Sequence, residues 1–190
     1  PLVRSLRQAI PVESTAKPAF VNGIPKSGTH LLASIVGALP GSRRGDWCIG
    51  LGNDYPKIIE HMNVTILDTR PGIFYPGHLN YSADVARFFR SNGLRHLLIV
   101  RDPRDYVVSF AEYIVDDAFK WLSRDHELIF AQMSTTERID ATIRGLGRGE
   151  HEFGYDKRSI PSVAYLFNAF IPWLKDQDTV VVHYEELVAA

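Results

Sequence analysis

FVNGIPKSGTHLLASIVGAL, residues 20–39, passes from a short apolar run through Gly23, Pro25, Lys26, Ser27, Gly28 and Thr29 into apolar residues of helical spacing. That order reads as a strand, a tight turn and a helix. Such a turn can hold an anion. Small residues leave backbone N–H groups uncovered, the helix start adds unpaired donors and the positive end of its dipole, and Lys26 adds a full charge. The expected ligand carries phosphate or a chemically similar group. Taken alone, the turn is equally a plain strand-to-helix connection with an exposed lysine. It also departs from G-x-x-x-x-G-K-[ST], because Lys26 precedes Ser27 and Gly28, so a nucleoside-triphosphate hydrolase is not the first expectation.

A second stretch repeats the pattern. Residues 95–100, RHLLIV, form an apolar strand that runs directly into Arg101-Asp102-Pro103-Arg104-Asp105 and a helix starting near Pro103. Proline at the first helical position, with acidic residues beside it, is a start signal. Ser109 follows Arg101 by eight residues, roughly two turns into that helix. A guanidinium and a hydroxyl so spaced can reach one phosphate; an ion pair of Arg101 with Asp102 or Asp105 is the plainer possibility.

Outward from these stretches, residues 19–23, 64–67 and 179–183 read as further strands, the last (TVVVH) as a buried one with Tyr184 at its end. Helices are expected over 29–39, 82–90 (with Ser82 as N-cap) and 159–175, and as two or three polar segments between 116 and 149. Those segments break near Ser134 and Gly145, and Ser134-Thr135-Thr136-Glu137 can form a capping box. Residues 42–57 read as a long loop. Residues 68–80, DTRPGIFYPGHLN, read as turn-rich, with His78 in a loop after Pro76-Gly77. As a neutral imidazole, His78 can take a proton from an attacking hydroxyl near pH 7. Short apolar strands alternating with helices predict a mainly parallel sheet covered on both faces, an α/β class, with ligands at the carboxyl ends of its strands. The loops carrying Lys26, Arg101 and Tyr184 can then meet over one edge.

Composition bounds the function further. With 190 residues, 45% hydrophobic and 23% charged, the chain suits one globular domain. Lys and Arg total 21 against 22 for Asp and Glu, so a net charge of −1 gives no case for nucleic acid or an anionic membrane as partner. Cys48 is the only cysteine, which excludes an internal disulfide framework and a cysteine-rich zinc site, and the default location is cytoplasmic. No transmembrane segment is expected. The seven histidines show no paired helical spacing, so no metal site is expected.

The segment IPKSGTHLLASIV resembles the 5′-phosphosulfate loop of sulfotransferases, and HLLIVRDPRDYVVSFAEY resembles their 3′-phosphate motif, with the same arginine-to-serine spacing. PGHLN is similar to the family's catalytic-histidine loop, and IPWLKD followed by TVVVHYEEL to its last helix, strand and tyrosine. These four stretches occur in the family's order between residues 19 and 187. The resemblance implies a P-loop-like three-layer α/β/α sandwich, 3′-phosphoadenosine 5′-phosphosulfate (PAPS) as donor, adenosine 3′,5′-bisphosphate (PAP) as product, and a small-molecule acceptor with a hydroxyl or amine. It assigns Lys26 to the bridging oxygen and transferring sulfuryl group. Ser27, Gly28, Thr29 and His30 fall to the 5′-phosphate, Arg101 and Ser109 to the 3′-phosphate, Tyr184 to the neighbourhood of the adenine, and His78 to the role of general base.

Three positions depart from the family pattern. Leu31 stands where many cytosolic members carry a tryptophan that stacks on adenine, Pro76 where they carry a lysine, and no G-x-x-G-x-W-K segment follows Tyr184. The chain is therefore expected to form a single sulfotransferase domain over residues 1–190 without that glycine-rich segment. Residues 116–160 are expected on the acceptor side. Two other functions fit the residues: a P-loop-type nucleotide or metabolite kinase, with Asp102 as the candidate magnesium carboxylate, and a nucleotide-binding module without catalysis.

Overall fold

The computed structural model describes residues 17–45, 48–50, 70–115, 124–146 and 160–189. Its elements run β1 (Ala19–Gly23), α1 (Thr29–Ala38), β2 (Arg43–Arg44), β3 (Cys48–Gly50), β4 (Ile73–Leu79), α2 (Ala83–Ser91), β5 (Arg95–Val100), α3 (Pro103–Val115), α4 (Arg124–Gln132), α5 (Thr135–Arg144), α6 (Val163–Phe170), a 3₁₀ turn (Ile171–Lys175), β6 (Thr179–His183) and α7 (Tyr184–Ala189). The strands form one sheet in the order β2-β4-β1-β5-β6, with β3 also paired to β4, and every described pairing is parallel.

β1 lies at the centre because both its faces are apolar. Phe20 and Ile24 join the larger core, which includes Phe89, Phe110, Phe130, Phe170 and Trp173. Ala19 and Val21 join the second core with Leu32, Ala33 and Val36 of α1. A strand buried on both faces, with helices above and below, gives the three-layer sandwich expected from the sequence. The chain places β2, β3 and β4 on one side of β1, then crosses to place β5 and β6 on the other. β1 is therefore the switch point, and the loops after β1 and β5 leave in opposite directions, opening a crevice at their carboxyl ends.

The bounds of β1, β5 and β6 agree with the sequence expectations, as do the caps of α2 and α5. Ser82 Oγ accepts from Asp84 N at 3.2 Å. The Ser134 hydroxyl and the Glu137 carboxylate cap α5 reciprocally.

Other expectations are corrected. Residues 73–79 are a seven-residue strand rather than a turn-rich loop. Pro76 lies in this strand opposite Val21 of β1, between the residues that pair with β2 and those that pair with β3. Within the expected loop at 42–57 lie two short strands, β2 and β3. β6 is not buried: it is the outer strand of the described sheet, and Val180 is 51% exposed. The expected helix at 159–175 starts later, capped by Ser162, and tightens to 3₁₀ form around Pro172. The strand expected at 64–67 lies outside the described residues.

Candidate active site

Between β1 and α1 the chain makes two left-handed steps. Ser27 N donates to Ile24 O at 3.0 Å, closing a turn with Pro25 second and Lys26 third. Proline presets the second position, and the third requires positive φ, as in a type II turn. Lys26 takes that role at φ 67, where a glycine is usual, at a cost of roughly 1–2 kcal/mol. Gly28 follows at φ 96 as the N-cap of α1, with no side-chain cap and no acidic residue in the first helical turn. The N-terminal donors of α1 thus meet no competing carboxylate on their own helix.

Three buried polar atoms around this turn have no partner among the described residues: Ser27 Oγ, Thr29 Oγ1 and Arg101 Nε. Ser27 is fully buried and Thr29 nearly so. Orphaned hydroxyls of this kind are rare in folded proteins, because desolvating each costs roughly 1–3 kcal/mol unless something bonds to it. Two hydroxyls and a guanidinium N–H at a helix N-terminus form a donor set that fits a phosphate.

Arg101, at the end of β5, spans the crevice. Its Nη1 donates to Lys26 O at 3.3 Å, and its guanidinium lies 4.5 Å from the centre of the Tyr184 ring. Tyr184 in turn packs against Gly28: a Cβ on Gly28 would lie 2.6 Å from Tyr184 Cδ2. The ring therefore backs Arg101 on one side and the anion turn on the other. The acid that sequence spacing offered to Arg101 is engaged elsewhere. Asp102 receives Arg104 Nε at 3.0 Å and Arg104 N at 2.8 Å, and this pairing holds its carboxyl down to about 2. Glu185 of α7 accepts from Asp102 N at 2.8 Å, tying the end of β6 to the end of β5.

Lys26 Nζ sits 3.7 Å from the centre of the Tyr113 ring on α3. Ser109 is half-buried four residues before Tyr113, on the same helical face, and no described contact joins it to Arg101.

His78 lies near the end of β4, in a strand rather than a loop. Its Nδ1 is 2.7 Å from Gly23 O; since a carbonyl only accepts, Nδ1 carries the proton and Nε2 is left with its lone pair. Burial pushes the imidazole down to about 4, with the Gly23 hydrogen bond opposing and His30 adding to the shift. His30, exposed at the start of α1, is itself lowered by burial and by the charges of Arg44 and Lys26. His78 is accordingly neutral near pH 7.

The fold thus brings the Lys26 turn, Arg101 and Tyr184 into direct contact, with His78 bonded to the last residue of β1. Asn22, Tyr113 and Glu185 were not singled out by sequence. Each acts through a partner far along the chain, and none sits in a local pattern. Among the described residues there is no group of three or more His, Cys, Asp or Glu that could hold a metal ion, and no helix long and apolar enough to cross a membrane.

Neither a protein-family model nor a curated protein matches the chain. Among solved structures it is similar to mouse sulfotransferase SULT7A1 complexed with PAP, at 20% identity and a TM-score of 0.56. The similarity covers 91% of this chain and 54% of that one, so the chain spans about half the length of that neighbour. What the two share at this identity is the fold alone, a P-loop-like α/β sandwich with a parallel central sheet.

Proposed function

We propose that the chain transfers a sulfuryl group from PAPS to a hydroxyl or amine of a small molecule. The observation that carries this is a set of buried polar atoms with no partner among the described residues, Ser27 Oγ and Thr29 Oγ1 at the start of α1 and Nε of Arg101, whose Nη1 reaches the same turn at Lys26 O. The PAP held by the neighbour of like fold supports a doubly phosphorylated nucleotide as the ligand.

The donor supplies a sulfuryl group on an activated phosphate, and transfer runs in line from the bridging oxygen to the acceptor atom. This chain's residues position it and offset charge. Ser27, Gly28, Thr29 and His30 hold the 5′-phosphate at the start of α1. Lys26 offsets the charge that develops on the bridging oxygen. Arg101, backed by Tyr184 near the adenine, holds the 3′-phosphate with Ser109. His78 Nε2 takes the proton from the acceptor. A conjugate acid near 4 makes a weak base, and an anionic donor beside it raises that value toward the working pH.

The test is turnover with PAPS and a panel of phenols, alcohols and amines. Lys26→Ala and His78→Ala should each lose transfer, the latter by roughly 10²–10⁴-fold as for other proton-transfer groups. Transfer by both at the parent rate would sink this mechanism. A kinase finds no specific support here, since the Asp102 carboxylate is engaged by Arg104.

A further inference from the structure

We infer that Asn22 is the positioning residue for His78, a role that rests on the base assignment above. The β1–β4 ladder ends at the pair Asn22↔Gly77. Past that point β1 and β4 no longer pair with each other, and His78 and Leu79 keep register partners only on the far side of β4, at Ile49 and Gly50 of β3.

Toward β1, the Asn22 side chain continues the tie where the backbone ladder stops. It is fully buried. Its Oδ1 accepts from Leu79 N at 2.8 Å and from Gly23 N at 3.0 Å, and its Nδ2 donates to Leu79 O at 2.9 Å. Three of the four bonds an asparagine amide can make are used, all on backbone groups. Leu79 O also accepts from Trp173 Nε1 at 3.0 Å.

On the β1 side, the residue before His78 is thus held by the ladder and the residue after it by Asn22. The same amide holds Gly23, whose carbonyl receives the His78 Nδ1 proton. One buried side chain therefore ties the strand that carries the imidazole to β1 and holds the backbone unit that selects its tautomer. Leucine at position 22 would keep the volume but leave Gly23 N and Leu79 N to find other partners, and Leu79 O with Trp173 Nε1 alone.

The experiment reads the imidazole itself by long-range ¹H–¹⁵N NMR over a pH titration of the parent, Asn22→Leu and Asn22→Asp. His96, buried on β5 against Trp173 and lowered by burial to about 3, reports whether the core beneath the site stays intact. In the parent, His78 should show a single Nδ1–H tautomer. In Asn22→Leu it should become a tautomer mixture that protonates nearer 6.5, with His96 unmoved and the sulfuryl-transfer rate constant down at least tenfold at unchanged PAP affinity. Asn22→Asp keeps Oδ1 and loses the donation to Leu79 O, so it serves if the leucine variant does not fold. There the Nδ1–H tautomer should lose its dominance. Parent-like His78 spectra in a folded variant would overturn the role of Asn22. A parent chain that transfers no sulfuryl group would instead defeat the functional proposal, and the NMR comparison would still decide the clamp.

Discussion

Gly28→Ala tests how the anion turn is assembled, because one methyl group meets two constraints at once. Gly28 is at φ 96, and an L-residue with a Cβ in the left-handed region costs roughly 1–2 kcal/mol. The new Cβ would also lie 2.6 Å from Tyr184 Cδ2, 3.0 Å from Tyr184 Cε2 and 3.2 Å from Ile99 Cδ1. At least the ring must shift, and forced shifts of this kind cost roughly 1–3 kcal/mol. The sum, about 2–5 kcal/mol, corresponds to a fall in Tm of about 5–15 °C for a chain of this size. Tyr184 also backs Arg101, so its movement should loosen a charged phosphate contact and weaken PAP binding by about 10–100-fold. Thermal unfolding by circular dichroism gives the first quantity and titration calorimetry the second. A variant that melts within about 2 °C of the parent and binds PAP equally well would refute the packing of Gly28, Tyr184 and Arg101 as the device that shapes the turn.

Three further outcomes follow from the same geometry. Asparagine tolerates the left-handed region better than lysine, so Lys26→Asn should match or exceed the parent in urea stability while losing transfer by orders of magnitude; a marked loss of stability would contradict the strain assigned to Lys26. The Tyr113 ring holds the Lys26 ammonium, so Tyr113→Phe should retain kcat and Tyr113→Leu should lose about 3–30-fold, in line with roughly 0.5–2 kcal/mol for a cation–π contact; equal behaviour of the two variants in steady-state kinetics would remove that role. Burial lowers His78 to about 4 and His96 to about 3, both below the unfolded value of 6.5. Below pH 6.5 the unfolded chain therefore binds protons that the folded chain refuses, and stability falls as pH drops, by about 3 kcal/mol for His78 alone at pH 4. Urea midpoints between pH 7 and pH 4 should show this slope, and a folded His96→Phe variant should show a shallower one; identical slopes would contradict it.

Much of the architecture was legible because it is local. Residues 19–23, 95–100 and 179–183 are short apolar runs ended by turn or charged residues, and those bounds are the ones observed. Pro103 opens α3 and Ser134 caps α5 through contacts within a single helical turn. β4 was hidden because Pro76-Gly77 is a turn signal in isolation, and the parallel pairing that makes it a strand comes from β1, far back in the chain. The same misreading put His78 in a loop. Lys26, Ser27, Gly28, Thr29 and Arg101 could be named from the strand–turn–helix pattern. Asn22 and Tyr113 could not, since their partners lie 57 and 87 residues away and no spacing rule connects them.

The buried hydroxyls give the sharpest test of the central claim. Ser27 Oγ and Thr29 Oγ1 have no partner among the described residues, so Ser27→Ala/Thr29→Val removes two desolvated groups and should leave the fold as stable as the parent or more so. Calorimetric titration of PAP into the parent and this double variant should then give one-to-one binding by the parent and at least tenfold weaker binding by the variant. Equal affinity in the two proteins, or no binding by the parent, would contradict the assignment of this turn to the donor nucleotide.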